Sequence, residues 1–171
     1  VDAVPEESNL VTRLMVASYA ERAGSPATVI RLLDGHLPID GFQHEHARLA
    51  AAHAREHPHR ARNLAYFEKL PVRLLQIDEI ARAHASVLLD VGRVPEATVL
   101  LKRLHTNDPT DTYVALRLVE ALERSRDSIG VRSIVDGLDL SKLSGPPAYR
   151  MSLIRVAASG GGIERNISED Y

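Results

Sequence analysis

The chain has 171 residues, with 21 Lys and Arg against 23 Asp and Glu, a formal net charge of −2 and no cysteine. That charge balance supplies no attraction for a nucleic-acid backbone or an anionic membrane, and the lack of cysteine excludes disulfides and thiolate metal sites. Apolar residues make up 44% of the chain, enough for a substantial core, and no apolar run approaches the roughly 18 residues that a membrane span needs.

Ala, Leu, Arg and Glu are abundant and Trp is absent, a composition that favours helix. Residues 1–9 are polar, carry Pro5 and read as a flexible lead-in. Ser8 or Asn9 caps a first helix over 10–22, which ends at Gly24. Pro26 opens a second helix over 26–33, and the HLPIDG stretch after it reads as a loop. A third helix covers 42–56 and is broken by Pro58. A fourth covers 60–69, before Pro71, and a fifth over 74–91 leads to Gly92. Pro95 and Glu96 open a sixth helix, which ends before Asn107-Asp108-Pro109. Asp111 or Thr112 starts a seventh, which reaches Glu123, and an eighth follows the polar turn 124–128 and ends near Gly137. Pro146 and Pro147 suit the first turn of a ninth helix running to 158, where Gly160-Gly161-Gly162 stops it. Residues 161–171 read as a tail. No segment alternates cleanly enough for a strand.

The turns are evenly spaced. Gly24, Pro58, Gly92, Arg126 and Gly160 stand 34 residues apart, and four of the five are helix breakers. Seven places before each turn stand Ala17, Ala51, Ala85, Val119 and Leu153; four before it stand Ala20, Ala54, Leu88, Leu122 and Val156. Nine places after it come Leu33, Phe67, Leu101 and Val135, and twelve after it His36, Leu70, Leu104 and Leu138. Seventeen of these 18 places are apolar against 44% overall, so the period is real. Places four and seven before the turn share one helical face, as do nine and twelve after it. A helical hairpin this short cannot bury such a face alone and must stack on others like it.

A 34-residue helix–turn–helix unit resembles the tetratricopeptide repeat. The best unit, 78–111, matches that pattern at Ala85, Leu88, Gly92, Ala97, Leu101 and Pro109, and departs where the family often has an aromatic, at Ala81 and Leu88. Unit 10–43 has Val29 in place of the second small residue and Gly41 in place of the closing proline. Unit 44–77 has Asn63 at the small place, 112–145 keeps the apolar pattern, and 146–160 supplies one helix. The implied architecture is an all-α, right-handed superhelix of stacked hairpins over 10–160.

The resemblance also implies a concave groove lined by the first helix of each hairpin, which binds peptides or partner helices. Carried across, its places hold Arg48, Arg82 and Arg150, with Leu14 and Leu116 at the other two. Around them stand Glu45, Glu79, Arg55, Ser86, Leu89, Asp90, Tyr113, Glu120 and Glu123. Arg48 and Arg82 have the forked geometry to grip a carboxylate or a phosphorylated peptide; the competing expectation is that Glu45, Glu79 and Asp90 neutralise them. The family's clamp for C-terminal carboxylates uses Lys and Asn, whereas the matching places here hold Arg48 and Ala52, then Arg82 and Ser86.

Six histidines, His36, His44, His46, His53, His57 and His59, fall within one short span. His46, His53 and His57 can share a helical face and are the candidates for a metal ion or a pH-sensitive patch. There is no HExxH, since Arg48 follows His44-Glu45 at the last place, and Arg48, Arg55 and Arg60 repel a cation, so no metal and no cofactor is expected. Phosphate-binding glycine loops and a GxSxG elbow are also absent.

The expected function is that of a protein-interaction module without catalysis. Its partner is a protein or peptide, one with an anionic group in the arginine-grip reading, and not a nucleic acid or a membrane. The alternative is a structural, oligomerising or regulatory solenoid segment of a multidomain enzyme or sensor, associating through exposed repeat ends around Leu153 and Ile154. With no signal-peptide pattern, a cytoplasmic location is expected; Val at the first position suggests a processed product or a piece of a larger protein.

Overall fold

The computed structural model describes residues 9–34, 36 and 41–158. The lead-in, most of the HLPIDG loop, the Gly160 turn and the tail lie outside the described residues. Within them the chain forms α1 Leu10–Arg22, α2 Pro26–Leu33, α3 Gln43–Ala52, α4 Arg60–Glu68, α5 Val72–Leu75, α6 Asp78–Asp90, α7 Val94–Asn107, α8 Thr112–Arg124, α9 Ser128–Gly137 and α10 Gly145–Ala158, with a 3-10 turn at Leu140–Lys142 before α10. No strand occurs among the described residues.

The helices pair as hairpins, α1 with α2, α6 with α7, and α8 with α9, whereas α3 and α4 meet chiefly through the turn between them, at Ala54 and Arg55. The second helix of each hairpin packs on the first helix of the next (α2 on α3, α4 on α6, α7 on α8, α9 on α10). First helices also meet one another, α1 on α3, α3 on α6 and α6 on α8. This is a helical-repeat solenoid. The period explains it residue by residue. Ala17, Ala51, Ala85 and Val119, and likewise Ala20, Ala54, Leu88 and Leu122, are all buried. So are Leu33, Phe67, Leu101 and Val135 on the second helices. Each fully buried Leu or Phe contributes about 1.5–3 kcal/mol relative to exposure, and the alanines let paired helices approach closely. Leu49 of α3 packs with the first hairpin's core, while Ala47 and Ala51 of the same helix face the core that runs on to Met151.

Three turns share one geometry. Gly24 and Gly92 have φ of +68° and +85°. The next N–H donates five residues back in each: Ser25 to the Ala20 carbonyl at 2.9 Å and Arg93 to the Leu88 carbonyl at 2.8 Å. Arg126, the place in the 34-residue series without a helix breaker, has φ +58°, and Asp127 N–H donates to the Leu122 carbonyl at 2.9 Å. These are Schellman closures, in which a left-handed residue satisfies orphan helix carbonyls. Arg126 adopts the left-handed region despite its side chain, because the hairpin requires it.

Pro58 cannot adopt a positive φ, and the turn there is rebuilt. The helix expected over 42–56 stops at Ala52, and seven residues separate α3 from α4. Carbonyls of this turn are met from α4. Asn63 Nδ2 donates to the Ala54 carbonyl at 2.8 Å, and Arg60 donates to the carbonyls of Ala54 at 3.2 Å and Arg55 at 2.8 Å. Asn63 therefore holds the small-residue place because it caps the preceding turn. The helix expected over 74–91 is two elements. Ile77 is extended at φ −72° and ψ 123°, and Asp78 and Glu79 then form an acidic first turn that suits a helix N-terminus. Asn9 and Asp111 are the caps among the alternatives offered by the sequence, accepting from Thr12 N–H at 2.8 Å and Val114 N–H at 3.1 Å.

Two substitutions test this turn chemistry by urea unfolding. Arg126→Gly removes about 1–2 kcal/mol of left-handed strain and adds unfolded-state freedom, so stability is expected to rise by about 0.5–1 kcal/mol. Asn63→Ala leaves the Ala54 carbonyl poorly satisfied and is expected to cost about 1–2 kcal/mol.

Candidate protein-binding groove

The five places carried over from the repeat pattern do not share one environment. Leu14 is buried and Leu116 half-buried. Arg48 is held by two carboxylates. Its Nη1 and Nη2 donate to Glu21 at 3.1 and 2.8 Å, and its Nε and Nη2 donate to Glu45 at 3.0 Å each. These bonds hold both carboxyls below the usual Glu range. Glu21 comes from α1 and Arg48 from α3, so the pair ties the first two hairpins together. Arg82 meets Asp111 at 3.1 Å, and Arg150 pairs with Glu123. Glu79 is exposed. Ser86 and Leu89 are buried; the Ser86 hydroxyl bonds the Tyr113 hydroxyl at 2.7 Å, and the Leu89 carbonyl accepts from Arg124 at 2.6 Å. Their side chains support the groove wall rather than offering surface.

The structure brings together a second set of charges. Arg55, Glu56, Arg60, Asp90 and Arg117 border a polar cavity of about 430 Å³. Arg117 donates to Asp90 at 2.8 Å, to Glu120 at 2.7 Å and to the Ser86 carbonyl at 3.1 Å. Arg60 lies 3.9 Å from Asp90. Arg55 is exposed, with its guanidinium 5.8 Å from the Tyr113 ring centre, and has no carboxylate partner among the described residues. Stacking on an aromatic face positions a guanidinium while leaving its N–H edge available. Sequence reasoning passed over Arg117. The signal was present: the places 34 and 68 residues earlier are the buried Ala83 and Leu49, so a charge there breaks an apolar series.

The histidines go to separate partners. His46 is buried, and its Nδ1 lies 2.8 Å from the Tyr66 hydroxyl. Burial pushes its pKa down to about 4. His57 Nδ1 accepts from His59 N–H at 3.1 Å, and its Nε2 faces Asp34 at 3.4 Å. His53 sits between them and lines a small cavity with Leu49, Asn63 and Tyr66. Among the described residues, no group of three His, Cys, Asp or Glu is arranged to hold a metal ion. Among the described residues, no helix is long and apolar enough to cross a membrane.

No family model matches the chain, and no curated protein matches it. Among solved structures, the chain is similar to a mutant form of MamA, with a TM-score of 0.68 over 88% of each chain at 16% identity. At that identity the likeness concerns the fold, a tetratricopeptide-like helical repeat.

The buried His46 generates a pH prediction. Its folded pKa lies below the unfolded value of about 6.5, so between the two only the unfolded chain binds the proton, and stability falls as pH drops. A shift to about 4 corresponds to a loss on the order of 3 kcal/mol by pH 4. His46→Phe is expected to flatten the decline in urea midpoint between pH 6.5 and pH 4, roughly the interval of the two pKa values.

Proposed function

We propose that this protein is an interaction module that holds a protein or peptide segment along its row of first helices and performs no catalysis of its own. The observation that carries this reading is Arg55, exposed and stacked on Tyr113, beside the cavity that also holds Arg60 and Arg117. A guanidinium positioned by an aromatic ring, with no carboxylate partner among the described residues, is suited to an anionic side chain or a chain terminus on a bound segment. Arg48 and Arg82 serve the same ligand less directly, because Glu21, Glu45 and Asp111 already engage them. In this reading they stiffen the wall between hairpins, while Leu116 and Arg150 border the groove further along, around a cavity of about 240 Å³. The near-neutral charge of the chain and the carboxylates along this face favour a protein ligand over a nucleic acid.

An array of acidic and neutral peptides, followed by calorimetry on the best binder, tests this. Acidic peptides are expected to dominate. Arg55→Glu is expected to weaken them by about tenfold or more without lowering the Tm, since Arg55 is exposed. The reading fails if no peptide binds, or if charge reversal at Arg55 leaves binding unchanged.

A further inference from the structure

Successive first helices are joined by ion pairs in register, and one junction departs from that pattern. Near the end of α1, Glu21 meets Arg48 of α3; at the end of α6, Asp90 meets Arg117 of α8; near the end of α8, Glu123 meets Arg150 of α10. Glu21 and Glu123 stand three places before their turns and Asp90 two places before its own. At the junction of α3 with α6 those two places hold Arg55 and Glu56. Arg55 has the opposite sign to Glu21 and Glu123. Glu56 keeps the sign of Asp90, but the buried Ala83 fills the place on α6 that Arg117 takes on α8. Arg82, the α6 equivalent of Arg48 and Arg150, turns to Asp111 instead. Because α3 stops at Ala52, Arg55 and Glu56 also lie in the rebuilt Pro58 turn rather than on a helix.

The turn therefore carries two adjacent charges of opposite sign that the fold does not pair. Both side chains are exposed, both border the polar cavity of about 430 Å³, and neither has an ion-pair partner among the described residues. The remaining charges of that cavity are occupied with one another. Arg117 holds Asp90 and Glu120, and Arg60 lies 3.9 Å from Asp90 while donating to two carbonyls of the turn. What the cavity presents to a ligand is one cation and one anion, side by side. A phosphoryl group brings close to two negative charges. Such a group, or a run of acidic residues, reaches Arg55 only with Glu56 beside it, and like charges repel.

We infer that Glu56 sets the charge specificity of the groove: the bound segment presents one carboxylate to Arg55 and one Lys or Arg side chain to Glu56, and phosphorylated or uniformly acidic segments are rejected. The inference rests on the groove reading above and adds the second half of the ligand's charge pattern. Arg55 alone selects for an acid. Glu56 selects against too much acid, which is discrimination by a repulsive element as well as an attractive one. A ligand carboxylate on Arg55 also supplies, at the α3 to α6 junction, the acid that Glu21 and Glu123 supply from within the chain at theirs.

The probe is a peptide array in which each sequence is made in three forms and titrated with the full chain at low salt. One form carries a single Glu, one carries that Glu with a Lys two residues on, and one carries phosphoserine in place of the Glu. Residues two apart point to the same side of an extended chain. The Glu-with-Lys form is expected to bind tightest, by about three- to fivefold over Glu alone, the scale of an exposed ion pair, and phosphoserine no better than Glu. Glu56→Lys is expected to reverse the order, weakening the Glu-with-Lys form and making phosphoserine the tightest. Circular dichroism and Tm stay unchanged, since Glu56 is exposed, and added salt narrows the differences. A structural role for Glu56 would instead move all three forms in one direction. The inference is overturned if phosphoserine or Glu alone binds the unaltered protein tightest, or if Glu56→Lys shifts every form alike; the groove reading then still stands, because an acid is bound. If no form binds, both fall together.

Discussion

Each hairpin in this protein has an apolar face that only a neighbouring hairpin can cover, and the rest of the structure follows from that constraint. The small residues Ala17 and Ala85 bring two helices of a pair together. The larger residues, such as Phe67 and Leu101, then fill the space between pairs. A stack built this way has no centre. Its stability is a sum of hairpin and interface contributions, and its ends are where the sum is incomplete. Leu49 shows the coupling at its narrowest: one helix, α3, sends Leu49 into the first hairpin's core and Ala47 and Ala51 into the next.

Much of this was legible in the sequence, because burial at a fixed interval leaves a pattern that needs no knowledge of distances. The 34-residue spacing located the hairpins, and the order of Gly and Pro located most helix ends. Where the pattern misled, local chemistry had replaced a missing element. Arg126 looked like the exception in a row of helix breakers, yet it takes the same left-handed backbone as Gly24 and Gly92. Asn63 looked like a flaw at a small-residue place, and it caps the carbonyl that the Pro58 turn leaves open. The break at Ile77 was hidden by the apolar run Leu74-Leu75, although Asp78 and Glu79 together mark a helix start.

The groove was legible in position but not in state. Register placed Arg48 and Arg82 on neighbouring first helices. It could not say that Glu21 would reach Arg48 from the preceding hairpin, or that the cap residue Asp111 would also face Arg82. Ion pairing across hairpins depends on side-chain reach, which carries no period. The histidines illustrate the same limit: shared helical spacing suggested convergence, and burial sent His46 to Tyr66 while His57 faced Asp34. The result is a face whose charges are largely satisfied internally. Arg55 is a cation it holds out on an aromatic ring.

Native-state hydrogen exchange tests the central claim, that this is a stack held by nearest-neighbour burial, most directly. In such a stack the hairpin covered on both sides opens last. The account predicts the slowest exchange in α6, α7 and α8, with protection falling outward to α1 and α2 on one side and to α10 on the other. Equal protection of α10 and α6, or one uniform opening across all helices, would contradict it.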